Sequence, residues 1–371
     1  MKSNNYLRWS LALASISLAS QLHQNFKHPL PKISHAERLL ELAEIENSMD
    51  WLQEEEYEKN WDEKLSPFID NLRQEGSINQ GAYHLAYDFY ALETAKATCL
   101  IVHGFNEFKE KYRELVYYLL QSGIQVLTYD ARGHGESKLS PNQTQIDIID
   151  FNVYINDLKC LVKRVKELGG EEQPLFIFGH SMGGAVSSRF AQLWPDLVDG
   201  LILSSPMLAI DTKGMPMELA HMSASLMQKI GRGKNYLPED SNGGIDDHLV
   251  FRTPNQLSNS EVRGRFFFEL NKKLHLYPTK SGSINWLKAS LDALQTIHQE
   301  KEIKKMTFPS LIFRAASDKI VKKEGIFHFY NCLPNSLNFL VPSSEHEILL
   351  GHDDQVRKIV SQILHFINKN I

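Results

Sequence analysis

A serine set between glycines is the first group in this chain that could do chemistry. Gly179-His180-Ser181-Met182-Gly183 is followed by another small residue, Gly184. Leu175 to Phe178 before it form a short apolar run, and Ala185 to Leu193 after it are compatible with a helix. The motif therefore falls where a buried strand turns sharply into a helix, the setting in which Gly-x-Ser-x-Gly forms a nucleophile elbow. Such a turn forces strained dihedrals on Ser181 and needs small residues two before and two after it. It lifts the hydroxyl clear of the sheet edge, above a helix N-terminus whose dipole favours negative charge.

A serine hydroxyl is a weak nucleophile near neutral pH. It needs a base within hydrogen-bond reach and a carboxylate that fixes the tautomer of that base and stabilises its cation. After an elbow the acid and then the histidine follow in chain order. Leu311 to Phe313 read as a strand, and the loop after it supplies Asp318. Leu337 to Val341 read as the next strand, and Pro342-Ser343-Ser344-Glu345-His346 supplies the base, His346. The plainer readings are a surface or helix-capping aspartate and a half-buried loop histidine. Acyl transfer also needs donors aimed at the developing oxyanion. The backbone N–H of Met182 is one. The other is expected from His103-Gly104-Phe105-Asn106-Glu107, after the strand ending at Val102, with the Phe105 N–H as donor.

Other chemistries fail on spacing. His346-Glu347 opens like a zinc-protease motif, but the second histidine would fall at Leu350. Gly133-His134-Gly135 opens like a dinucleotide loop, but the third glycine would fall at Lys138. His221, His248 and His275 show no metal spacing, and nothing resembles a phosphate-cradling loop. No metal and no organic cofactor are expected. The net charge of −5 gives a nucleic-acid partner no electrostatic support. Cys99, Cys160 and Cys332 are odd in number and scattered, which suits buried free thiols rather than a disulfide framework.

The elements that must hold these groups can be read around them. At 371 residues, with 42% hydrophobic and 23% charged residues, the chain is globular and long for one minimal domain. Residues 1–21 carry Lys2 and Arg8, then an apolar stretch and small residues, the outline of a secretory signal; the alternative is an amphipathic or disordered leader. Residues 22–80 read as a linker and then an acidic helical segment, with Leu39, Leu40, Leu42, Ile45 and Met49 near the helical period. In it Glu54-Glu55-Glu56 reads as a solvated face, and Trp51, Tyr57 and Trp61 as a side packed on the body.

Residues 81–205 then alternate strands (Tyr83 to Tyr90, Thr98 to Val102, Gln125 to Tyr129, Gly200 to Leu203) with helices (Tyr112 to Gln121, Ile146 to Leu168). Such alternation implies crossover connections and a mostly parallel sheet covered on both faces. It stops over 206–305, which reads as an inserted cap. The methionines (Met215, Met217, Met222, Met227) and Phe266 to Phe268 there suit a flexible apolar ligand or the cap's own core. Strands and a terminal helix, Gln355 to Ile367, resume over 306–371.

Together these residues resemble the monoacylglycerol lipase and lysophospholipase branch of the α/β-hydrolases. Val102-His103-Gly104-Phe105-Asn106-Glu107 with Tyr112 is similar to the branch's oxyanion strand and helix. Asp130-Ala131-Arg132-Gly133-His134-Gly135-Glu136-Ser137 matches its tight turn, and Gly179 to Gly184 its elbow. His346-Glu347-Ile348-Leu349 and Ser283 to Ser290 look closer to bacterial membrane-associated lysophospholipases, and Phe105 stands where the branch often has a smaller residue. The resemblance runs from about Ala82 to the C-terminus. It implies an α/β-hydrolase with a mainly helical cap, with Ser181 as nucleophile, Asp318 as orienting acid and His346 as general base and acid. It implies a lysophospholipid or monoacylglycerol substrate, with peripheral membrane contact. If residues 1–21 are a signal peptide, the expected place is the cell envelope, periplasmic or secreted; the alternative is the cytoplasmic membrane face. A short-chain carboxylesterase, a serine aminopeptidase and a non-catalytic binding protein on the same scaffold are the rival readings.

Overall fold

The computed structural model describes residues 36–45, 48–212, 214–237, 251, 257–274 and 281–371. The leader over 1–21 and the linker over 22–34 lie outside the described residues, as do Asn242 to Gly244, His248 and His275. In chain order the strands are β1 (Arg38–Leu39), β2 (Arg73–Gln80), β3 (Tyr83–Tyr90), β4 (Ala97–Val102), β5 (Ile124–Tyr129), β6 (Gln145–Ile146), β7 (Leu175–His180), β8 (Gly200–Ser204), β9 (Ser281–Gly282), β10 (Ser310–Ala315) and β11 (Ser336–Val341). The longer helices are α1 (Arg113–Gln121), α2 (Asn152–Gly169), α3 (Met182–Leu193), α4 (Met217–Lys229), α5 (Glu261–Lys273), α6 (Ile284–Ile297), α7 (Lys323–Cys332) and α8 (Asp353–Lys369).

Nine strands form one sheet in the order β1-β11-β10-β8-β7-β4-β5-β3-β2. Pairing is parallel from β1 through β5 and antiparallel at β5–β3 and β3–β2. Every residue of β4, β5, β7 and β8 is buried, because helices cover both faces and leave no solvent side on which polar residues could alternate. One face packs on α2, α3, α6 and α7 through residues such as Leu158, Val186, Leu294 and Phe329. The other packs on α1, α8 and the N-terminal segment through Val116, Ile363, Trp61 and Leu65.

Several expectations need correction. The segment before β2 is not one helix. Arg38–Leu39 instead adds in parallel to the edge strand β11, and the following chain docks on α8, where Ser361 Oγ accepts from Ala43 N–H and Gln362 donates to the Glu41 carbonyl. Helical geometry begins at Glu54 and runs to Asp70, with a π-helical turn at Trp61–Leu65. Glu55 and Glu56 are exposed but Glu54 is half-buried. Arg73–Gln80, polar and unpatterned, pairs over its whole length with β3. The long helix starts at Asn152 rather than Ile146, because Gln145–Ile146 is drawn into a two-stranded parallel pairing with Ser281–Gly282. Phe266 and Phe267 do not face the cleft. Their rings pack on Tyr57 and Trp61 at 4.8 to 5.5 Å, beside the second core. All three cysteines are free, but only Cys99 is buried.

Candidate active site

Strain marks the site before any catalytic group is considered. Among the described residues four non-glycine residues have positive φ: Asn106, Ser181, Ser205 and Ser343. Each follows the C-terminal end of a strand, β4, β7, β8 and β11 respectively. Open parallel sheets place their ligands along that edge, and strained backbone gathers where function over-determines the fold. Ser181 itself, at φ 50° and ψ −119°, stands between the end of β7 and the first turn of α3.

The small residues around it are required by contact. A Cβ on Gly183 would lie 2.1 Å from the Val102 carbonyl oxygen and 2.5 Å from that of His103. A Cβ on Gly179 would lie 2.7 Å from Ser187 Oγ, and one on Gly184 2.6 Å from Pro206 Cβ. The first of these contacts also brings the Met182 end of the elbow against the His103–Phe105 loop.

The structure brings Ser181, His346 and Asp318 together. His346 Nε2 lies 2.9 Å from Ser181 Oγ, and His346 Nδ1 lies 2.8 Å from Asp318 Oδ2. Asp318 Oδ1 accepts the N–H groups of Ile320 (2.8 Å) and Val321 (3.0 Å), which aims the other oxygen at the histidine. Burial works to lower the pKa of His346, but the hydrogen bond and charge of Asp318 outweigh it and raise it above 6.5. Burial works to raise Asp318, yet the His346 contact and the two backbone donors hold it below the usual carboxylate range. The rings of Phe105 and Trp286 of α6 meet at 4.2 Å, tilted by 41°, joining the loop after β4 to α6.

Sequence reasoning missed a buried charged cluster behind this site. Glu107, His180 and Glu347 present ligand-type atoms within 4.8 Å of one another. The cation in the cluster is the Lys111 ammonium, 2.5 Å from both Glu107 Oε1 and Glu347 Oε2. Only the i, i+4 spacing of Glu107 and Lys111 could have signalled it. His221 of α4 pairs with Asp292 of α6 at 2.6 Å.

Fold and site together define a serine hydrolase of the α/β-hydrolase class. The model of the serine aminopeptidase S33 family matches residues 93–353, and the chain belongs to that family. Among its relatives, "Probable lysophospholipase L2" of Haemophilus influenzae is 25% identical over 271 residues, 72% of this chain and 83% of that protein. The monoglyceride lipase of Rattus norvegicus is 26% identical, covering 74% of this chain and 82% of the relative. A solved soluble variant of the Saccharomyces cerevisiae monoglyceride lipase shares the fold with a TM-score of 0.66 at 20% identity, over 81% of this chain and 96% of that one. The chain thus falls in the lysophospholipase and monoglyceride lipase branch.

Proposed function

We propose that the protein is a carboxylic ester hydrolase that releases the single acyl chain of a lysophospholipid or monoacylglycerol. The 2.9 Å contact between His346 Nε2 and Ser181 Oγ carries this reading. Ser181 Oγ attacks the ester carbonyl carbon as its proton passes to His346 Nε2. Asp318 steadies the imidazolium, and the tetrahedral oxyanion takes hydrogen bonds from the N–H groups of Phe105 and Met182. The C–O bond to glycerol breaks, the alcohol leaves with the proton from His346, and water then cleaves the acyl-enzyme by the same steps in reverse roles.

The names of the relatives support the substrate class. An exposed apolar stripe supports work at a lipid surface: Met215, Leu219, Met222, Leu226 and Ile230 recur at helical spacing along α4 and its ends. Exposed Lys229, Arg232 and Lys234 at the end of that helix suit anionic headgroups. Among the described residues no helix is long and apolar enough to cross a membrane. Residues 1–21, read as a secretory leader, favour the cell envelope; N-terminal sequencing of the mature protein checks this.

The test compares wild type with Ser181→Ala for fatty-acid release from lysophosphatidylcholine, monoacylglycerol and a short-chain ester. Release from the lipids that vanishes in Ser181→Ala is the expected result. Release from the short ester alone discards the lipid substrate, and no release from any ester moves the reading to an amide substrate.

A further inference from the structure

The proposed catalytic groups come from four loops far apart in sequence, and one buried chain of charges joins three of them, the loop after β4, the elbow and the His346 loop. Glu107, in the oxyanion loop, accepts the Gly104 N–H and the Tyr112 hydroxyl on Oε2, each at 2.6 Å. Its other oxygen accepts Lys111 Nζ. Lys111 Nζ also donates to Glu347, the residue directly after His346 and 236 positions away in sequence. His180, directly before Ser181, points Nε2 at both carboxylates, 3.4 Å from each, while its Nδ1 lies 3.0 Å from the Ser204 carbonyl. The side chains of Glu107, Lys111, Glu347 and His180 are all at least 88% buried. A cavity of about 20 Å³ beside them is lined by Lys111, Tyr112, His180 and Glu347 and has room for one water.

Two buried carboxylates facing one another repel, and removing the cation between them leaves uncompensated charge in a buried site. Burial works to raise both. The Lys111 charge, His180 and the Lys111 and Tyr112 hydrogen bonds hold Glu107 well below the usual carboxylate range, whereas burial and the Glu107 charge push Glu347 up. Lys111 is the group that bridges the two carboxylates. Its position is also geometrically demanding. Glu347 is one residue from the base, and Glu107 fixes the Gly104 N–H, one residue from the Phe105 N–H.

We propose that Lys111 is a positioning residue for the reaction: paired to Glu107 and Glu347, it sets the separation of the oxyanion loop and the His346 loop, so that base and oxyanion donor meet one tetrahedral centre. This rests on the ester-hydrolase reading above. The role differs from bulk stability, because a misplacement of about 1 Å costs on the order of a hundredfold in rate while leaving binding largely alone.

The experiment measures kcat and KM of the full chain on p-nitrophenyl butyrate for wild type, Lys111→Met, Lys111→Arg, Glu347→Gln and Ser181→Ala. Leu161→Ala, a core change in α2 away from the site, controls for lost stability. Lys111→Met is expected to lower kcat by about 10- to 100-fold with KM within about twofold. Lys111→Arg is expected to recover most of the loss, and Leu161→Ala to keep wild-type kcat below its melting temperature. Should Lys111→Met fail to fold, Glu347→Gln decides, with a kcat loss at unchanged KM expected. Wild-type kcat in Lys111→Met or, if that variant does not fold, in Glu347→Gln, with Ser181→Ala inactive, overturns this inference alone. Activity retained by Ser181→Ala overturns the underlying reading instead.

Discussion

Arg263 and Glu114, 149 residues apart, meet through a forked pair of hydrogen bonds, Nε to Oε2 at 3.1 Å and Nη2 to Oε1 at 3.0 Å. The remaining nitrogen donates to Asp353 Oδ1 (2.8 Å) and to the Gly351 carbonyl (3.1 Å), which closes the loop that carries His346. The guanidinium also lies 4.8 Å over the Tyr57 ring. One fully buried arginine thus joins the N-terminal segment, α1, α5 and the start of α8. Arg263→Met leaves the Glu114 carboxylate buried without its counter-ion and is expected to cost about 3–5 kcal/mol. Urea unfolding measures it, and Arg263→Met/Glu114→Gln should lose less; equal midpoints for wild type and Arg263→Met would contradict the assignment.

The pH dependence follows from the proposed mechanism. His346 must be neutral to accept the Ser181 proton, and its pKa lies above 6.5 because Asp318 outweighs burial. Activity is therefore lost as pH falls, and the acid limb of kcat/KM should be centred above 6.5. Asp318, held low, stays charged throughout that limb. Asp318→Asn should move the midpoint down and lower kcat by about 10⁴-fold, since the tautomer of the base is no longer set. Rates on a soluble ester over about pH 5 to 9 check this.

Gly183→Ala tests the elbow. The added methyl would press on two backbone carbonyls, Val102 and His103, neither of which is the flexible end of a side chain. Destabilisation of about 1–3 kcal/mol is expected, together with loss of most activity because the elbow and the oxyanion loop must move apart. A fully active Gly183→Ala enzyme of unchanged melting temperature would show that the two loops are not in this contact.

Met222→Gln/Leu226→Gln tests the cap stripe. Both side chains are about half exposed, so neither substitution opens a core. Binding to anionic vesicles, read by sedimentation, should weaken at least about tenfold, because two apolar side chains no longer enter the lipid. Hydrolysis of a soluble short-chain ester should not change. Equal vesicle binding would remove α4 from the lipid contact.

Legibility in the sequence tracked how local the cause of each element was. Leu175–Phe178 is a continuous apolar run and Ile124–Tyr129 a mostly apolar one, the pattern of strands buried on both faces. The elbow could be read because its glycines flank Ser181 in one short motif between a strand and a helix, although Gly183 and Gly184 are kept small by Val102, His103 and Pro206, far off in the chain. Arg73–Gln80 gave no such signal, since as an edge strand it has one neighbour and little to bury. The apolar spacing of Leu39 to Met49 suggested a helix, yet Leu39 and Leu42 are exposed and the backbone there is satisfied by β11 and α8.

By itself the sequence determined the reaction class and the order of the proposed catalytic groups, because a nucleophile, an acid and a base each need a particular residue type at the end of a strand. Only the tertiary structure decided which buried charges link their loops. Glu107, Lys111 and Glu347 are two ordinary charges on one turn and a third far along the chain. They become a single buried ion chain only when β4 and β11, separated in the sheet by β7, β8 and β10, bring their loops together, where desolvation makes each charge depend on the others.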